Sequence, residues 1–387
     1  MSDRSAFTTP LAAKTLLVLG LGNLGSYALA MLIRRPTGPR LVVAGRDGDA
    51  VTKRANLSRL TAAQLGFHRT FGTAVIDLTD VTATTTARTL ADLRPDIVFT
   101  TASKQAWWVV NSLPEPLREE LSQAQFGPWL PMHLAPLLQL MQAVRMSGID
   151  TTVVNAAFPD ASHPALAGAG LAPLVGIGNV ANPLPALRHA AADLLTEPVD
   201  NVSVRLVTAH YASTRLPRLG HSGGAPYALS VMVGDKDVTA SLDTAQIAAR
   251  SAEDHTRHGG PLGGMLTAAS AVTVLDSLLG EEQRLVHTPG PLGLPGGYPV
   301  LACERGVTLA LPEGMSEQAA RRINEEGLAH DGIARIESDG TVRFTDHHHQ
   351  VMREVIGYDC PVLPLSDVLD RADELGRRFA ELRRGLG

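Results

Sequence analysis

A chain of 387 residues is long enough for two domains that share a large interface. Its 44% hydrophobic and 19% charged content belong to an ordinary globular protein, and a formal net charge of −5 argues against a nucleic-acid surface. Two cysteines, Cys303 and Cys360, make neither a disulfide framework nor a zinc site, which points to a reducing, cytoplasmic setting. The segment 1–13 carries Asp3 and Arg4 and no long apolar core, so it reads as a loose tail and not a signal peptide. No window approaches a membrane span, and no membrane partner is expected.

The stretch Thr15–Asp47 organises the rest. Leu16-Leu17-Val18-Leu19 has the length of a buried strand. Gly20, Gly22 and Gly25 follow at G-x-G-x-x-G spacing, with Asn23 and Leu24 between them. A helical stretch comes next, with Leu24, Ala28, Met31 and Leu32 on one face, and then a second strand, Leu41-Val42-Val43-Ala44. The first glycine allows a tight turn, the second lets a pyrophosphate approach the backbone, and the third lets helix and strand pack closely. The helix N-terminus presents free N–H groups and positive dipole to the phosphates. The second strand ends Gly45-Arg46-Asp47, where Arg46 is the first charged group. An arginine suits the 2′-phosphate of NADP; Asp47, one residue on, keeps NAD open.

Strand and helix patterns continue to alternate. Val51–Leu65 reads as a helix, Thr73–Asp77 as a strand, Thr82–Leu93 as a helix and Ile97–Thr100 as the fourth strand. Leu130–Ser147 is a long amphipathic helix, Thr151–Asn155 a fifth strand and Leu174–Ile177 a sixth. The pattern predicts an α/β fold: an N-terminal Rossmann domain with a parallel doubly wound sheet over 1–181. After Asn182 the character changes to an α+β substrate domain, 182–387. Val202–Tyr211 and Tyr227–Val233 read as antiparallel strands, turning at Gly234–Asp237. Helices are expected over Leu242–Asp254 and Gly264–Leu279, then a hairpin of Tyr298–Cys303 with Val307–Leu311. A helix at Ser316–Gly327, a hairpin at Ile333–Thr345 and a last helix near Leu365–Leu386 complete the chain.

The order of motifs resembles the lactate/malate dehydrogenase superfamily from Leu16 to Gly327. Thr100-Thr101-Ala102-Ser103 looks like that family's cofactor-lining segment, which implies cofactor contacts at Thr101 and Ala102. Val153-Val154-Asn155 is similar to its strand ending in Asn, which implies that Asn155 sits between nicotinamide and substrate. Val204–His210 resembles the strand leading to the catalytic histidine. Ala44–Asp47 and Asp77-Leu78-Thr79-Asp80 are equally similar to saccharopine-dehydrogenase-type cofactor domains, with Asp77 at the cofactor. The resemblance implies an NAD(P)-dependent dehydrogenase or reductase acting on a carbonyl or carbinol carbon of a small carboxylate-type substrate, in a homodimer or homotetramer. A C–N dehydrogenase or imine reductase of the saccharopine or opine type is the alternative. A cofactor-binding sensor without turnover is another.

The physical reading agrees at His210. Reducing a ketone requires a proton for the new alkoxide, and histidine titrates near neutral pH. His210 follows the strand Val202–Ala209 and heads a loop, Tyr211–Gly224, at the domain junction; His221 in the same loop is the reserve. Two positions depart from the family. Its orienting Asp falls on Asn182, and its carboxylate-binding Arg falls on Pro185, with Arg188 one turn later. Either Arg188 has taken the carboxylate role, or the substrate is not a simple 2-hydroxy acid. Asparagine holds an imidazole but supplies no charge, so the His210 pKa is expected at or below ~6.5. The lid segment also departs, with Trp107, Trp108 and Trp129 in place of arginines, which suggests a larger or less polar substrate, or packing of the lid; His133 could face the same pocket. Asp346-His347-His348-His349 tempts a metal reading, but consecutive helical side chains point about 100° apart. Asp346 reads as an N-cap, and no metal is expected.

Overall fold

The computed structural model describes residues 14–386 except Pro36, Val81 and Trp107. The expected tail 1–13 and the first lid tryptophan lie outside the described residues. The first half is the Rossmann fold. It runs β1 (Thr15–Leu19), α1 (Asn23–Ile33), β2 (Arg40–Gly45), α2 (Gly48–Gln64), β3 (Phe71–Val75), α3 (Thr84–Leu93), β4 (Ile97–Thr100), α4 (Leu117–Ser122), α5 (Leu130–Ser147), β5 (Thr152–Asn155), α6 (Pro159–Ala167) and β6 (Val175–Gly176). The six strands form one parallel sheet in the order β3-β2-β1-β4-β5-β6. The order reverses between β1 and β4, so a crevice opens there at the strands' carboxyl ends. β1 is buried along its whole length, as a central strand covered on both faces must be.

The second half continues with α7 (Leu184–Leu195), β7 (Val202–Val207), α8 (His210–Leu219), β8 (Ala228–Val233), β9 (Lys236–Asp237), α9 (Thr244–Asp254), α10 (Gly260–Leu279), β10 (Arg284–Pro289), β11 (Gly297–Cys303) and β12 (Gly306–Leu309). It ends with α11 (Glu317–His330), β13 (Ile333–Ile336), β14 (Val342–Phe344), α12 (Asp346–Ile356), β15 (Val362–Leu363) and α13 (Val368–Arg384). Its strands make three antiparallel sheets of three strands each, β7-β8-β9, β10-β11-β12 and β13-β14-β15.

Elements of the second half cover both faces of the parallel sheet. On one side Leu17, Leu19 and Val98 share a core with α5 and with Leu375 and Phe379 of α13. On the other, Leu16, Val18 and Phe99 share one with α1, α10 and β11. α10 is long and apolar enough to cross a bilayer by length and composition, with a mean hydropathy of 1.5, which corrects the expectation that no window comes near. Its apolar residues have another employment: Ala268, Ala271, Val272 and Leu275 pack into the core that α1 also fills.

Several boundaries differ from the sequence reading. The expected loop after β7 is α8, which begins at His210 itself. α6 and β10 were not foreseen, because Pro159 and Pro164 mask the helix and Pro289 ends the strand. Thr345, not Asp346, occupies the N-cap of α12.

Candidate functional site

The glycine turn is built as its spacing requires. Gly20 has φ +94°, and its carbonyl accepts a hydrogen bond from Thr101 Oγ1 at 2.8 Å. A Cβ on Gly25 would lie 1.9 Å from the Gly20 carbonyl oxygen, so helix and strand approach as only glycine allows. A Cβ on Gly22 would meet nothing within 4 Å and would project into open space. Gly22 is the N-cap of α1 and makes no side-chain cap, so the first N–H groups of α1 face the crevice free.

That crevice is part of a cleft of about 1330 Å³ running along the carboxyl ends of the strands. Gly20, Gly22, Asn23, Leu24, Arg46, Asp77, Thr101 and Ala102 line one end of it. Gly25 lies buried beneath the turn. At the end of β2, Asp47 turns its carboxylate back to cap α2, accepting from the Ala50 N–H at 3.0 Å. Arg46 and Arg54 line the same end, and Arg54 donates to Ser26 Oγ at 3.3 Å. Asp77 likewise serves its own turn, accepting from Thr79 N at 3.0 Å and Thr79 Oγ1 at 2.9 Å.

His210 lines the far end. β7 delivers it and α8 holds it as first residue. Its Nδ1–H donates to Asp331, 3.0 Å from Oδ1 and 3.2 Å from Oδ2. Asp331 caps the C-terminus of α11 and is 1% exposed. α11 comes this close because Gly327 lies against Ala209: a Cβ there would sit 2.8 Å from the alanine's. The Asp331 carbonyl also accepts from Gly127 N at 2.7 Å, which ties the dyad to the loop before α5. The ring of His210 packs against Phe126 and Phe158, with centroids 4.9 and 5.4 Å away. Burial opposes charge on His210, but the Asp331 carboxylate and then Asp160 outweigh it and raise the pKa above the ordinary value. This overturns the expectation of a value at or below the free imidazole. The carboxylate that Asn182 lacks arrives from 121 residues downstream. That pairing was beyond sequence reasoning, because nothing local marks Asp331.

Two further side chains surround the dyad. His133 is 5% exposed, lines the cleft and packs its ring 4.9 Å from that of Phe126; burial and the nearby His210 lower its pKa to about 4, so it is neutral. Asp160 is fully buried, which pushes its pKa up to about 6, and it accepts a hydrogen bond from the Asn179 amide.

Three of the expected site residues do other work. Asn155 is fully buried and does not line the cleft; its amide donates to Ala157 O at 3.1 Å and Ser162 Oγ at 3.3 Å, holding the turn into α6. Arg188 donates to the carbonyls of Val199 and Val202 at 2.6–2.9 Å, at the start of β7, and also lies outside the cleft. Asn182 does line the cleft, but its side chain donates to Thr267 Oγ1 at 3.2 Å and makes no bond to His210. The reserve, His221, is turned to its own loop, accepting from Gly223 N at 3.1 Å.

The positive charge near His210 comes from elsewhere. Arg215 and Arg218, one turn apart on α8, and Arg257, just before α10, all line the cleft. Among the described residues none of the three forms an ion pair with a carboxylate. Arg215 donates to Gln125 Oε1 at 3.1 Å and Arg257 to Asn182 O at 2.9 Å. Burial, then the neighbouring guanidinium, lowers the pKa of Arg218 and of Arg257. Unpaired, mutually repelling guanidiniums in one cleft make an anion site. The sequence pattern reads Tyr211–Gly224 as a loop, which hides the i, i+3 spacing of Arg215 and Arg218, and nothing local marks Arg257.

The histidine run does not converge. His349 Nε2 bonds Asp359 at 2.6 Å while His348 turns to Thr345. Among the described residues no three His, Cys, Asp or Glu side chains form a metal-binding group.

No family model matches the chain, and no curated protein matches it in sequence. Solved structures match it in fold. The malate dehydrogenase of Plasmodium falciparum aligns with a TM-score of 0.54 at 13% identity, over 82% of this chain and 96% of its own. A lactate dehydrogenase from a Medee basin deep-sea metagenome gives 0.53 at 15% identity over 82% and 96%. The lactate dehydrogenase of Eimeria maxima, solved with NADH and oxamate, gives 0.53 at 12% identity over 82% and 93%. The chain therefore has the fold of the lactate and malate dehydrogenases, with the histidine's carboxylate supplied from a different element than the sequence resemblance implied.

Proposed function

We infer that the protein is a nicotinamide-dinucleotide-dependent oxidoreductase that interconverts a carbonyl and a carbinol on a carboxylate-bearing substrate. The observation that carries this reading is that His210, held by Asp331, opens into the same cleft as the uncapped N-terminus of α1.

The residues fit the cofactor. Gly22 leaves room where a pyrophosphate must approach, and the α1 N–H groups meet its charge. When bound, the nicotinamide supplies or accepts the hydride. His210 does the rest of the chemistry through Nε2, because Nδ1–H is committed to Asp331. In the reducing direction the imidazolium gives its proton to the developing alkoxide, and Asp331 stabilises the charged ring until then. Arg215, Arg218 and Arg257 support a substrate carboxylate beside that carbon. Phe126 and Phe158 keep water from the ring. Asp47 engaged as a cap, with Arg46 and Arg54 facing the adenosine end, supports NADP over NAD.

The test is oxidation of NADPH or NADH, followed by absorbance, with a 2-oxo carboxylate alone. Consumption only after adding an amine would instead favour a C–N dehydrogenase. Tight dinucleotide binding with no turnover across a broad panel would favour a sensor.

A further inference from the structure

The cleft does not end at His210. Beyond Phe126 it continues between α5 and α13, into a region that neither a dinucleotide nor a small 2-oxo acid needs. α5 presents Met132, His133 and Pro136, one face at i, i+1, i+4, with Trp129 at its N-cap. α13 presents Ala372, Gly376 and Ala380 at i, i+4, i+8, small side chains that leave space between the helices, with the charged Asp373 and Arg377 also lining the cleft beside them. A Cβ on Gly376 would lie 3.6 Å from Met132 Cε, so the width of the lobe is set at that position. Lys104 of the lid segment pairs with Asp373 of α13 and spans the edge of the lobe.

One side chain there points to a ligand. His133 is 5% exposed, lines the cleft, and among the described residues makes no hydrogen bond. Its ring is held by Phe126 at 4.9 Å, the same ring that holds His210 at 4.9 Å. The His133 ring nitrogens are not sealed in the core and stay open to the cleft, where a polar group of a ligand can reach them. Lowered to about 4, its pKa keeps it neutral, able to donate from one nitrogen and accept at the other.

The geometry points to an aryl-binding subsite: the substrate carries an aromatic ring on the carbon next to the reacting carbonyl, seated between α5 and α13, with a polar ring substituent bonded to His133. This rests on the oxidoreductase reading above and names the substrate class of that same site. The carboxylate lies toward Arg215 and Arg218, the carbonyl at His210, and the ring extends past Phe126 to the apolar wall. The reaction stays balanced: hydride from the reduced cofactor and one proton from His210 convert the ketone to the secondary alcohol.

The experiment compares pyruvate, phenylpyruvate and 4-hydroxyphenylpyruvate with the intact protein and saturating reduced cofactor. The expected kcat/KM rises at least tenfold from pyruvate to phenylpyruvate and again to the hydroxylated ring. Gly376→Leu, which fills the lobe from a helix position where leucine is well tolerated, is expected to reduce the phenylpyruvate-to-pyruvate ratio at least tenfold. His133→Leu is expected to abolish the preference for the hydroxyl and to retain that for the ring. Titration of phenyllactate onto the protein with oxidised cofactor, read by Trp129 and Trp108 fluorescence, gives the same order without turnover. Pyruvate preferred, with Gly376→Leu leaving the ratio alone, overturns the subsite and leaves the oxidoreductase reading intact. Absence of both turnover and dinucleotide binding overturns both.

Discussion

His210 and Asp331, 121 residues apart, form one hydrogen-bonded dyad at 3.0 Å, with the carboxylate buried and the ring facing the cleft. Its first consequence is for pH. The raised pKa keeps His210 protonated above the free imidazole value of ~6.5. Carbonyl reduction should therefore persist to higher pH than a free imidazole would allow, and decline as pH rises past that raised value. Asp331→Asn keeps a hydrogen-bonding partner but removes the charge, so the limb should move to lower pH. His210→Asn should cut turnover by ~10²–10⁴ and erase the limb, with dinucleotide affinity retained. Stability follows the same sign. The increment from protonated His210 is full below ~6.5 and is lost as pH rises through the folded-state value. Thermal melts across pH should flatten in Asp331→Asn. A limb that stays in place in that variant would remove Asp331 from the role.

The glycine turn separates binding from folding. Gly22→Val puts its side chain into open cleft space. The protein should fold with an unchanged melting temperature and lose at least a factor of about ten in dinucleotide affinity, ~1.4 kcal/mol. Gly25→Ala meets the Gly20 carbonyl and should destabilise the fold by ~1–3 kcal/mol, the usual cost of overpacking. Fluorescence titration and calorimetry on the two variants check this contrast.

Cofactor choice lies at the end of β2. Arg46→Ala should weaken NADPH by ~1.5–3 kcal/mol and leave NADH nearly alone, because a 2′-phosphate is the group a guanidinium would grip there. Equal loss for both dinucleotides, or none for either, would return the preference to NAD.

The arginines divide by task. Arg218→Ala should raise KM for a carboxylate substrate by a factor of ten or more, consistent with a lost charged hydrogen bond of ~1.5–3 kcal/mol. Arg188→Ala should do the reverse: turnover intact, and stability lowered by ~1–3 kcal/mol as the Val199 and Val202 carbonyls lose their donor. Steady-state kinetics beside denaturant unfolding distinguishes the two.

These contrasts mark what a linear chain discloses. The apolar runs Leu16–Leu19, Leu41–Ala44 and Ile97–Thr100 announce a buried parallel sheet, because strands covered on both faces have no alternation to lose. G-x-G-x-x-G discloses its turn, since sterics at Gly20 and Gly25 admit nothing else. His210 was legible from the strand before it. Its partner was not, because Asp331 is one carboxylate among many until α11 carries it back across Ala209. Counting along the family order leads to Asn182 and Pro185, with Arg188 one turn on, and both polar side chains serve local needs: Thr267 for Asn182, the Val199 and Val202 carbonyls for Arg188. Sequence order maps a fold well and maps side-chain function poorly where another element can deliver the same charge.

The order in which these parts leave the ribosome differs from the order in which they act. The elements of the parallel sheet and its glycine turn all lie before Ile177, whereas Asp331 and α13 are synthesised later. A nascent chain thus acquires the dinucleotide turn well before the carboxylate that orients His210. The core over Leu17, Leu19 and Val98, covered first by α5, is completed only when Leu375 and Phe379 of α13 join it. The later part of the chain thus contributes both the last layer of that core and the carboxylate that holds His210.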